Sequence, residues 1–474
     1  MKNSIWTEIL RRKSVDTIIA QGDEEEGPRL HRVLTARDVF NMGVAAIIGT
    51  GIFVLTGVAA ANMAGPGIIL SFVLAGLVCA CVSFAYAELA SMIPVSGSAY
   101  TYAYATLGEL LAWIIGWDLL LEYAVGASAV ASGWSAYFQS ILKGLGLDLP
   151  HYLSVAPPDI FHPTSVDLPA ILIVAFINYW LVKGVKHTAK MTSVFVLVKL
   201  TVVLFFIAVG AFHIDTANYT PFLPFGWSGV LKGAGAVFFA YIGFDAVTTL
   251  SEECKEPQKD VPRGILASLG VCTLLYVLVA AVMTGAVAYT ALGGSGEGAP
   301  MAKVLDHIGL NWATPLVSVG VIAGISSVLI VLLFGQSRIM MRMAKDGLVS
   351  PIFGKVSARF GTPVWSILFW GVLVALSAGL VPIGELAELT SIGTLFAFVI
   401  VSLGVMVLRK KEPERIRNFR CPGYPFVPVT GAVLSLVLMF SLPGITWLRF
   451  IIWMAIGLLV YAFYSRRHSR LGKR

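Results

Sequence analysis

The amino-acid sequence predicts an all-α membrane protein with about twelve membrane-spanning helices. Hydrophobic residues make up 57% of the 474 residues and charged residues 13%, which is about half the charged share of a soluble domain. The mean hydropathy is +0.82. Apolar runs of roughly 20 residues, long enough to cross about 30 Å of hydrocarbon, recur along the chain. One globular core cannot bury so much apolar surface, so the chain needs lipid as its solvent.

The apolar runs define twelve predicted spans. They lie at 38–61, 67–92, 109–141, 168–187, 190–213, 229–250, 264–290, 312–343, 364–382, 385–408, 425–442 and 445–465. The third and eighth are long for membrane helices, which predicts that they tilt or project beyond the bilayer.

The basic residues predict the orientation of these spans. Of the 34 Lys and Arg residues, 29 fall on the tails and on alternate connections, four fall on the opposite side, and Lys199 lies inside a span. Because cytoplasmic loops carry the excess of positive charge, this pattern predicts a cell-membrane protein with both termini in the cytoplasm. Basic residues at helix ends, rather than in one patch, argue against nucleic-acid binding.

Glycines interrupt the first and sixth spans. Gly49 and Gly51 flank Thr50 in the first, and Gly243 stands two residues before Asp245 in the sixth. Each cluster alone is also compatible with close helix packing. Together, five spans apart, they predict two inverted repeats with paired broken helices, 37–213 and 214–410. Tails at 1–36 and 466–474 and two peripheral helices within 411–465 complete the predicted organisation.

Broken helices expose main-chain dipoles. The free N–H groups at a half-helix start suit a carboxylate, and the free C=O groups at a half-helix end suit an ammonium. A zwitterion fits both ends at once.

Lys199 lies in the middle of the fifth span, with about nine apolar residues on each side. A charge there costs about 3 kcal/mol on insertion scales, and snorkelling to the surface is the alternative to a functional role. A lysine kept from water can exchange its proton near neutral pH. Its ammonium can also replace a sodium ion, donating to carbonyls of the broken first helix and to Ser326 or Ser327. Ordinary bonding of both serines to their own helix is the competing interpretation.

Other intramembrane groups leave alternatives open. Glu122 shares a helix face with Asp118 and is predicted either to line a pocket or to make a structural hydrogen bond. Phe239 either closes over a ligand or packs as a core residue. The five cysteines show no metal spacing, no catalytic cluster is visible, and neither an enzyme activity nor a cofactor is expected.

Several stretches carry a family resemblance. They lie at 47–57 (IIGTGIFVLTG), 94–102 (PVSGSAYTY), 116–123 (GWDLLLEY), 237–246 (VFFAYIGFDA), 252–262 (EECKEPQKDVP) and 386–396 (LAELTSIGTLF). In these residues the chain resembles the amino acid–polyamine–organocation (APC) superfamily, and within it the bacterial cationic amino acid transporters. The loop 419–425 (FRCPGYP) departs from the Arg-Val-Pro usual in that family.

The resemblance implies the leucine-transporter fold and alternating access. It implies that the substrate carboxylate binds the backbone around Gly49, Thr50 and Gly51. It places the substrate ammonium near the carbonyls of Ile47, Ile48, Phe239 and Ile242. Leu332 would border the side-chain pocket. Lys199 would stand where relatives carry an amine linked to proton coupling.

The predicted function is amino acid transport, with proton-coupled uptake favoured. The alternative is obligate amino acid exchange, with Lys199 as a fixed structural cation. The predicted partners are an amino acid, a proton and the lipid bilayer, with lipid or a small membrane protein contacting the peripheral helices. Leu332 and the largely apolar lining favour a small or medium neutral side chain, such as that of alanine, whereas Glu122 leaves a cationic substrate open.

Overall fold

A computed structural model describes residues 11–23, 30–157, 164–292, 300–381 and 383–473. Within these ranges the chain is predominantly helical, and its β pairing is one isolated bridge between Leu34 and Cys254. The first ten residues of the predicted N-terminal tail, and 24–29, lie outside the described residues.

The principal α-helices are numbered here in chain order. They are α1 Val15–Asp23, α2 Ala36–Ile47, α3 Ile68–Met92, α4 Ser98–Thr106, α5 Glu109–Gly144, α6 Leu168–Lys183, α7 Val185–Ala211, α8 Gly226–Val237, α9 Pro257–Ala286, α10 Thr314–Lys345, α11 Val364–Leu380, α12 Ile383–Lys411, α13 Phe426–Phe440 and α14 Gly444–Val460.

The apolar helices are long enough for a multi-pass membrane protein. Among the described residues, eight helical segments are long and apolar enough to cross a membrane, and α6, α11 and α13 are shorter apolar helices. The predicted third and eighth spans correspond to α5 and α10, which run for 36 and 32 residues. Exposed leucine, valine and phenylalanine side chains cover the outer helices, as expected for surfaces that face lipid.

The helices divide into a buried centre and a periphery. In an apolar stretch of 18 residues within Asn311–Lys345, which contains α10, 83% of the residues are buried. In the corresponding stretch within Gly444–His468, which contains α14, 22% are buried. Helix α10 packs against α5 and α7, and α9 packs against α2 and α3. Helix α13 packs against α12 and α3. This arrangement places α2 and the segment that follows α8, residues 238–253, in the interior, next to α7, α9 and α10.

The first and last described segments of the chain meet at one end of the helix bundle, which we call the terminal face. It comprises residues 11–23 and 465–471 together with the beginning of α5 and the end of α10. The Arg11 guanidinium donates to the Leu471 carbonyl, and the Arg470 N–H donates to the Asp346 carbonyl. The Ser469 hydroxyl donates to the carboxylate of Glu109 on α5. The described part of the predicted N-terminal tail is therefore docked on the protein.

Candidate substrate site

The first predicted helix break is present in the structure. Helix α2 ends at Ile47, and Ile48 adopts an extended conformation with φ −77° and ψ 102°. Helical structure resumes at Thr50 and continues with a π-helical turn over Gly51–Leu55. A side chain at Gly51 would overlap the backbone of Ala240. This glycine therefore lets the break in the first helix approach the sixth predicted span closely.

The second break lies opposite the first. After α8 the chain forms a 3-10 turn over Phe238–Tyr241, Ile242 is extended, and a second 3-10 segment begins at Asp245. Gly243 has φ +112°, a conformation that side-chain-bearing residues rarely adopt. A Cβ atom at Gly243 would lie 3.0 Å from the Ala46 carbonyl oxygen. The two breaks are thus packed directly against each other.

Tyr276 on α9 links the two breaks. Its hydroxyl oxygen lies 2.6 Å from the carbonyl oxygen of Ile47 and 2.8 Å from that of Ala240. A phenol has one hydrogen to donate, so the two carbonyls share it. Sequence reasoning did not single out this tyrosine. The available signal was a hydroxyl in the apolar seventh span, since a buried tyrosine hydroxyl usually finds a partner.

Lys199 lies against the first break. Its amine is fully buried and donates to three main-chain carbonyls, those of Val44 at 2.9 Å, Ala45 at 3.1 Å and Ile48 at 2.9 Å. The fourth contact is the Ser327 hydroxyl at 2.8 Å. An ammonium has three hydrogens, and here four oxygens surround it. These contacts hold the end of α2 against α7 and α10.

The two predicted serines separate into different environments. Ser327 contacts the Lys199 amine, and its hydroxyl can donate to Gly324 O or Ala45 O. The Ser326 hydroxyl instead donates to the Ile322 carbonyl of its own helix and accepts from the Trp134 indole N–H. Ser326 points to another side of α10 because successive helix residues are about 100° apart.

Some carbonyls expected to receive a substrate ammonium already have hydrogen-bond donors. Ile47 O accepts from Tyr276 and Ile48 O accepts from Lys199. Phe239 O accepts from the Ile242 N–H at 3.3 Å. Each carbonyl oxygen has a second lone pair, which is what remains for a ligand. An ammonium expected near Ile47 and Ile48 would therefore share their oxygens with the Tyr276 hydroxyl and the Lys199 amine.

The remaining predicted residues lie in the interior. Thr50, Ile242 and Leu332 are buried, and Phe239 is half-buried. Leu332 lies beside Gly126 of α5, where a Cβ atom would be 3.6 Å from its side chain.

Three buried carboxyl groups lie between α5, α12 and the second break. Asp245 accepts hydrogen bonds from the Tyr123 hydroxyl at 2.8 Å and the Ser98 hydroxyl at 3.4 Å. Glu122 and Asp118 are nearly inaccessible, and their four carboxyl oxygens have no hydrogen-bond partner among the described residues. Thr394 of α12 lies close to Glu122. A buried ionised carboxylate without a partner is expensive, so a proton or a cationic group is needed at this place.

The terminal face carries a buried ion pair that sequence reasoning did not predict. The Lys13 amine, 3% exposed, bonds the Asp346 carboxylate, which also accepts from the Tyr100 hydroxyl. Burial raises the pKa of Asp346, but the charges of Lys13 and Arg342 outweigh it and hold that pKa below its ordinary value.

A second buried pair joins α10 to the second broken segment. The Arg338 guanidinium bonds the Glu253 carboxylate at 2.8 Å, and both side chains are inaccessible. Within the described ranges, no cluster of three or more His, Cys, Asp or Glu residues is placed to hold a metal ion.

Comparisons with known proteins agree with a membrane carrier. Residues 34–461 match the family model described as amino acid permease. The chain is 47% identical over its full length, and over the full length of the relative, to a branched-chain amino acid permease of Bacillus subtilis. It is 46% identical, over 98% of its length and 99% of the relative, to a methylthioribose transporter of the same organism. A vacuolar cationic amino acid transporter of Arabidopsis thaliana is 36% identical over 86% of this chain and 68% of the relative.

Proposed function

Because the chain belongs to the amino acid permease family of the APC superfamily, we propose that it carries amino acids across the cell membrane by alternating access. It is a transporter and not an enzyme. The observation that supports this proposal best is the pair of broken helices packed against each other in the protein interior. Main-chain groups at such breaks can bind the charged ends of an amino acid without a charged side chain.

The carboxylate of the substrate binds at the start of the second half of the first broken helix. The first N–H groups of a helix have no intrahelical partner, and here they belong to Thr50, Gly51 and the residue after them. The ammonium of the substrate binds near the second break. Ile242 and Phe239 offer carbonyls there, and Ile47 and Ile48 contribute their second lone pairs.

Lys199 supplies the coupling. Its amine donates to the last carbonyls of α2 and to Ser327, so its charge maintains the geometry of the first break. Loss of a proton would leave fewer donors for the same four oxygens and would loosen the end of α2. Proton-coupled uptake follows if this loss occurs in each transport cycle. Obligate exchange follows if the amine keeps its proton throughout.

The substrate is proposed to be a neutral aliphatic amino acid. The named relative at 47% identity transports branched-chain amino acids, and the buried Leu332 and Ile242 provide apolar surface. The relative named as a methylthioribose transporter, at 46% identity, favours a second candidate, an uncharged thioether sugar. The buried Glu122 and the plant relative named for cationic amino acids support a third, a basic amino acid.

The architecture proposed with this function is the leucine-transporter fold with twelve helices. Residues 37–213 and 214–410 form the inverted repeats, α13 and α14 within 411–465 are peripheral, and both termini are cytoplasmic. The position of the two breaks, five spans apart, and the high exposure of α14 support this arrangement.

Uptake into proteoliposomes tests the proposal. Radiolabelled leucine, alanine, arginine and methylthioribose are offered to vesicles that contain no internal substrate, with and without an imposed inward proton gradient. We expect accumulation of leucine or alanine that depends on the gradient. Accumulation only when vesicles are preloaded with amino acid would support exchange. Failure to transport any of the amino acids in both empty and preloaded vesicles would refute the proposed function.

The role of Lys199 is tested in the same assay. Lys199→Met removes the amine, and Lys232→Met removes an exposed lysine on α8 as the matched control. We expect the first variant to lose gradient-driven uptake and the second to retain it. Wild-type accumulation by Lys199→Met would exclude the coupling role.

A further inference from the structure

A basic cavity lies between the end of α12 and the beginning of α13, apart from the candidate substrate site. Its volume is about 590 Å³. Four cationic side chains line it, those of Arg409, Lys410, Arg417 and Arg420. Met406 and Val407 on the last turns of α12 add apolar lining. The cavity is therefore amphipathic, with a strongly positive part next to an apolar part.

A single buried carboxylate binds two of the guanidinium groups that line this cavity. Glu88 on α3 accepts from Arg409 at 2.6 and 2.9 Å, from Arg417 at 3.2 Å and from the Cys421 N–H at 2.7 Å. One negative charge is thus shared by two guanidinium groups. Their remaining positive charge is not balanced by Glu88.

The other two cations are free to meet a ligand. Lys410 and Arg420 are exposed, and neither makes an ion pair with any residue in the described parts of the chain. The acids of the same loop, Glu412 and Glu414, line a neighbouring cavity instead. The site thus presents net positive charge with the fork geometry that suits phosphate oxygens.

The apolar surface beside the cavity indicates its depth in the membrane. Phe426, the first residue of α13, is 77% exposed, and Val429, Val433 and Val437 continue one exposed face along that helix. Tyr424 lines the cavity at this boundary, and its ring lies 4.2 Å from the Arg409 guanidinium. Tyrosine is typical of the level where hydrocarbon meets head groups.

We propose that this cavity binds the phosphodiester of an anionic phospholipid, with the acyl chains lying along the exposed face of α13. Lys410 and Arg420 contact the phosphate, while Arg409 and Arg417 remain anchored on Glu88 and add their field. Basic pockets at this level of membrane proteins suit anionic head groups. The inference rests on the multi-pass membrane character of the chain and not on the identity of the transported substrate.

Native mass spectrometry of the purified full-length protein tests the proposal. The protein is titrated with dioleoyl phosphatidylglycerol or with dioleoyl phosphatidylcholine, which differ in the head group alone. The variant Lys410→Gln/Arg420→Gln is compared with Lys355→Gln/Arg467→Gln, which removes two exposed cations that lie outside the cavity. Circular dichroism and size-exclusion chromatography check that each variant is folded.

We expect the wild type to retain phosphatidylglycerol preferentially and the cavity variant to bind it about 25-fold more weakly, about fivefold for each basic residue. The control variant should bind like the wild type. Equal binding of the two lipids, or an equal loss in both variants, would overturn the proposal. Displacement of phosphatidylglycerol by millimolar inorganic phosphate would also overturn it, since the ligand would then be a free phosphate rather than a lipid.

Discussion

Two buried regions of the molecule treat charge in opposite ways. At the first helix break, the Lys199 amine has four oxygen partners at 2.8–3.1 Å. Between α5 and α12, the carboxyl oxygens of Glu122 and Asp118 have no partner among the described residues. Both sets of side chains are almost inaccessible. The amine and the two carboxyl groups are thus buried to the same degree, but they differ in the number of their hydrogen-bond partners.

This difference separates a charge that has a full set of hydrogen-bond partners from an acid that needs a ligand or a proton. A buried charge with full hydrogen bonding stabilises the conformation that supplies its partners. A buried carboxyl without partners is tolerated when it is neutral or when a cation arrives. The Lys199 amine therefore stabilises the first break, whereas Asp118 and Glu122 on α5 have no hydrogen-bond partner among the described residues. The following predictions test that contrast, starting with the largest expected effect.

Removing the Lys199 amine should have the largest effect. Lys199→Met removes a donor from three carbonyls and a hydroxyl, and each buried group that stays unsatisfied costs about 1–3 kcal/mol. Summed over those groups, we expect a loss of roughly 3–5 kcal/mol in the free energy of unfolding and at least a tenfold fall in uptake. Thermal unfolding in detergent and the proteoliposome assay measure the two quantities. An unchanged unfolding midpoint would show that the four contacts do not support the break.

Acidification should break the buried ion pair between Lys13 and Asp346 at the terminal face. Because the folded-state pKa of Asp346 is held below its ordinary value, the pair stabilises the protein above about pH 4. That stabilisation is lost as the pH falls through the lower, folded-state value. Asp346→Asn should lower the unfolding midpoint at pH 7, by an amount corresponding to about 3 kcal/mol, and should flatten its decline below pH 4.

Asp16→Asn provides the control for this experiment. Asp16 forms an ion pair with Arg415 on the same face, but its side chain is 80% exposed, and exposed pairs contribute little. An equal effect of Asp16→Asn and Asp346→Asn across the pH range would contradict the importance of burial.

Tyr276→Phe should have an intermediate effect. The substitution removes the hydroxyl shared by Ile47 O and Ala240 O and leaves the ring in place, which costs about 1–2 kcal/mol. We expect uptake to fall several-fold because the two breaks are no longer linked. Tyr219→Phe is the control, since its hydroxyl also donates to a carbonyl of α9, that of Ala281, at 2.8 Å, but lies away from the breaks. Similar uptake by the two variants would argue against a specific link.

Glu122→Gln should have the smallest effect on stability. A protonated carboxyl group without hydrogen-bond partners loses little when an amide of the same size replaces it. If Glu122 has no charged partner, we therefore expect a change below about 1 kcal/mol. Glu88→Gln is the contrast, because Glu88 is equally buried but accepts from two guanidinium groups. Thermal unfolding of both variants at pH 7 measures the difference. Equal destabilisation would mean that Glu122 has a charged partner in the membrane.

Much of the fold was accessible from local patterns. Apolar runs predicted long helices such as α5 and α10, and glycines at 49, 51 and 243 predicted the two breaks that the structure contains. These features depend on residues within a few turns of one another. Conversely, the burial of Lys13 was not predicted, because charge alone does not reveal a partner 333 residues away.

The partners within the site were harder to predict. The sequence could not choose between Ser326 and Ser327, because the choice depends on how α10 is rotated against α7. Tyr276 was missed, since its role requires α9 to lie across both breaks. Likewise, the sequence could place the carbonyls of Ile47 and Ile48 at a helix end. It could not show that Tyr276 donates to the first and Lys199 to the second.

The sequence by itself determined that the chain lies in lipid, that its apolar segments form helices and that glycines break two of them. Hydrophobicity, segment length and glycine content each act within a single segment. It also favoured burial of Lys199, because about nine apolar residues separate this lysine from either end of its span. Only the tertiary structure decided which oxygens surround that lysine, which acids remain without partners and which cations share Glu88. Those contacts join segments far apart in the chain, and their geometry exists only when the helices pack.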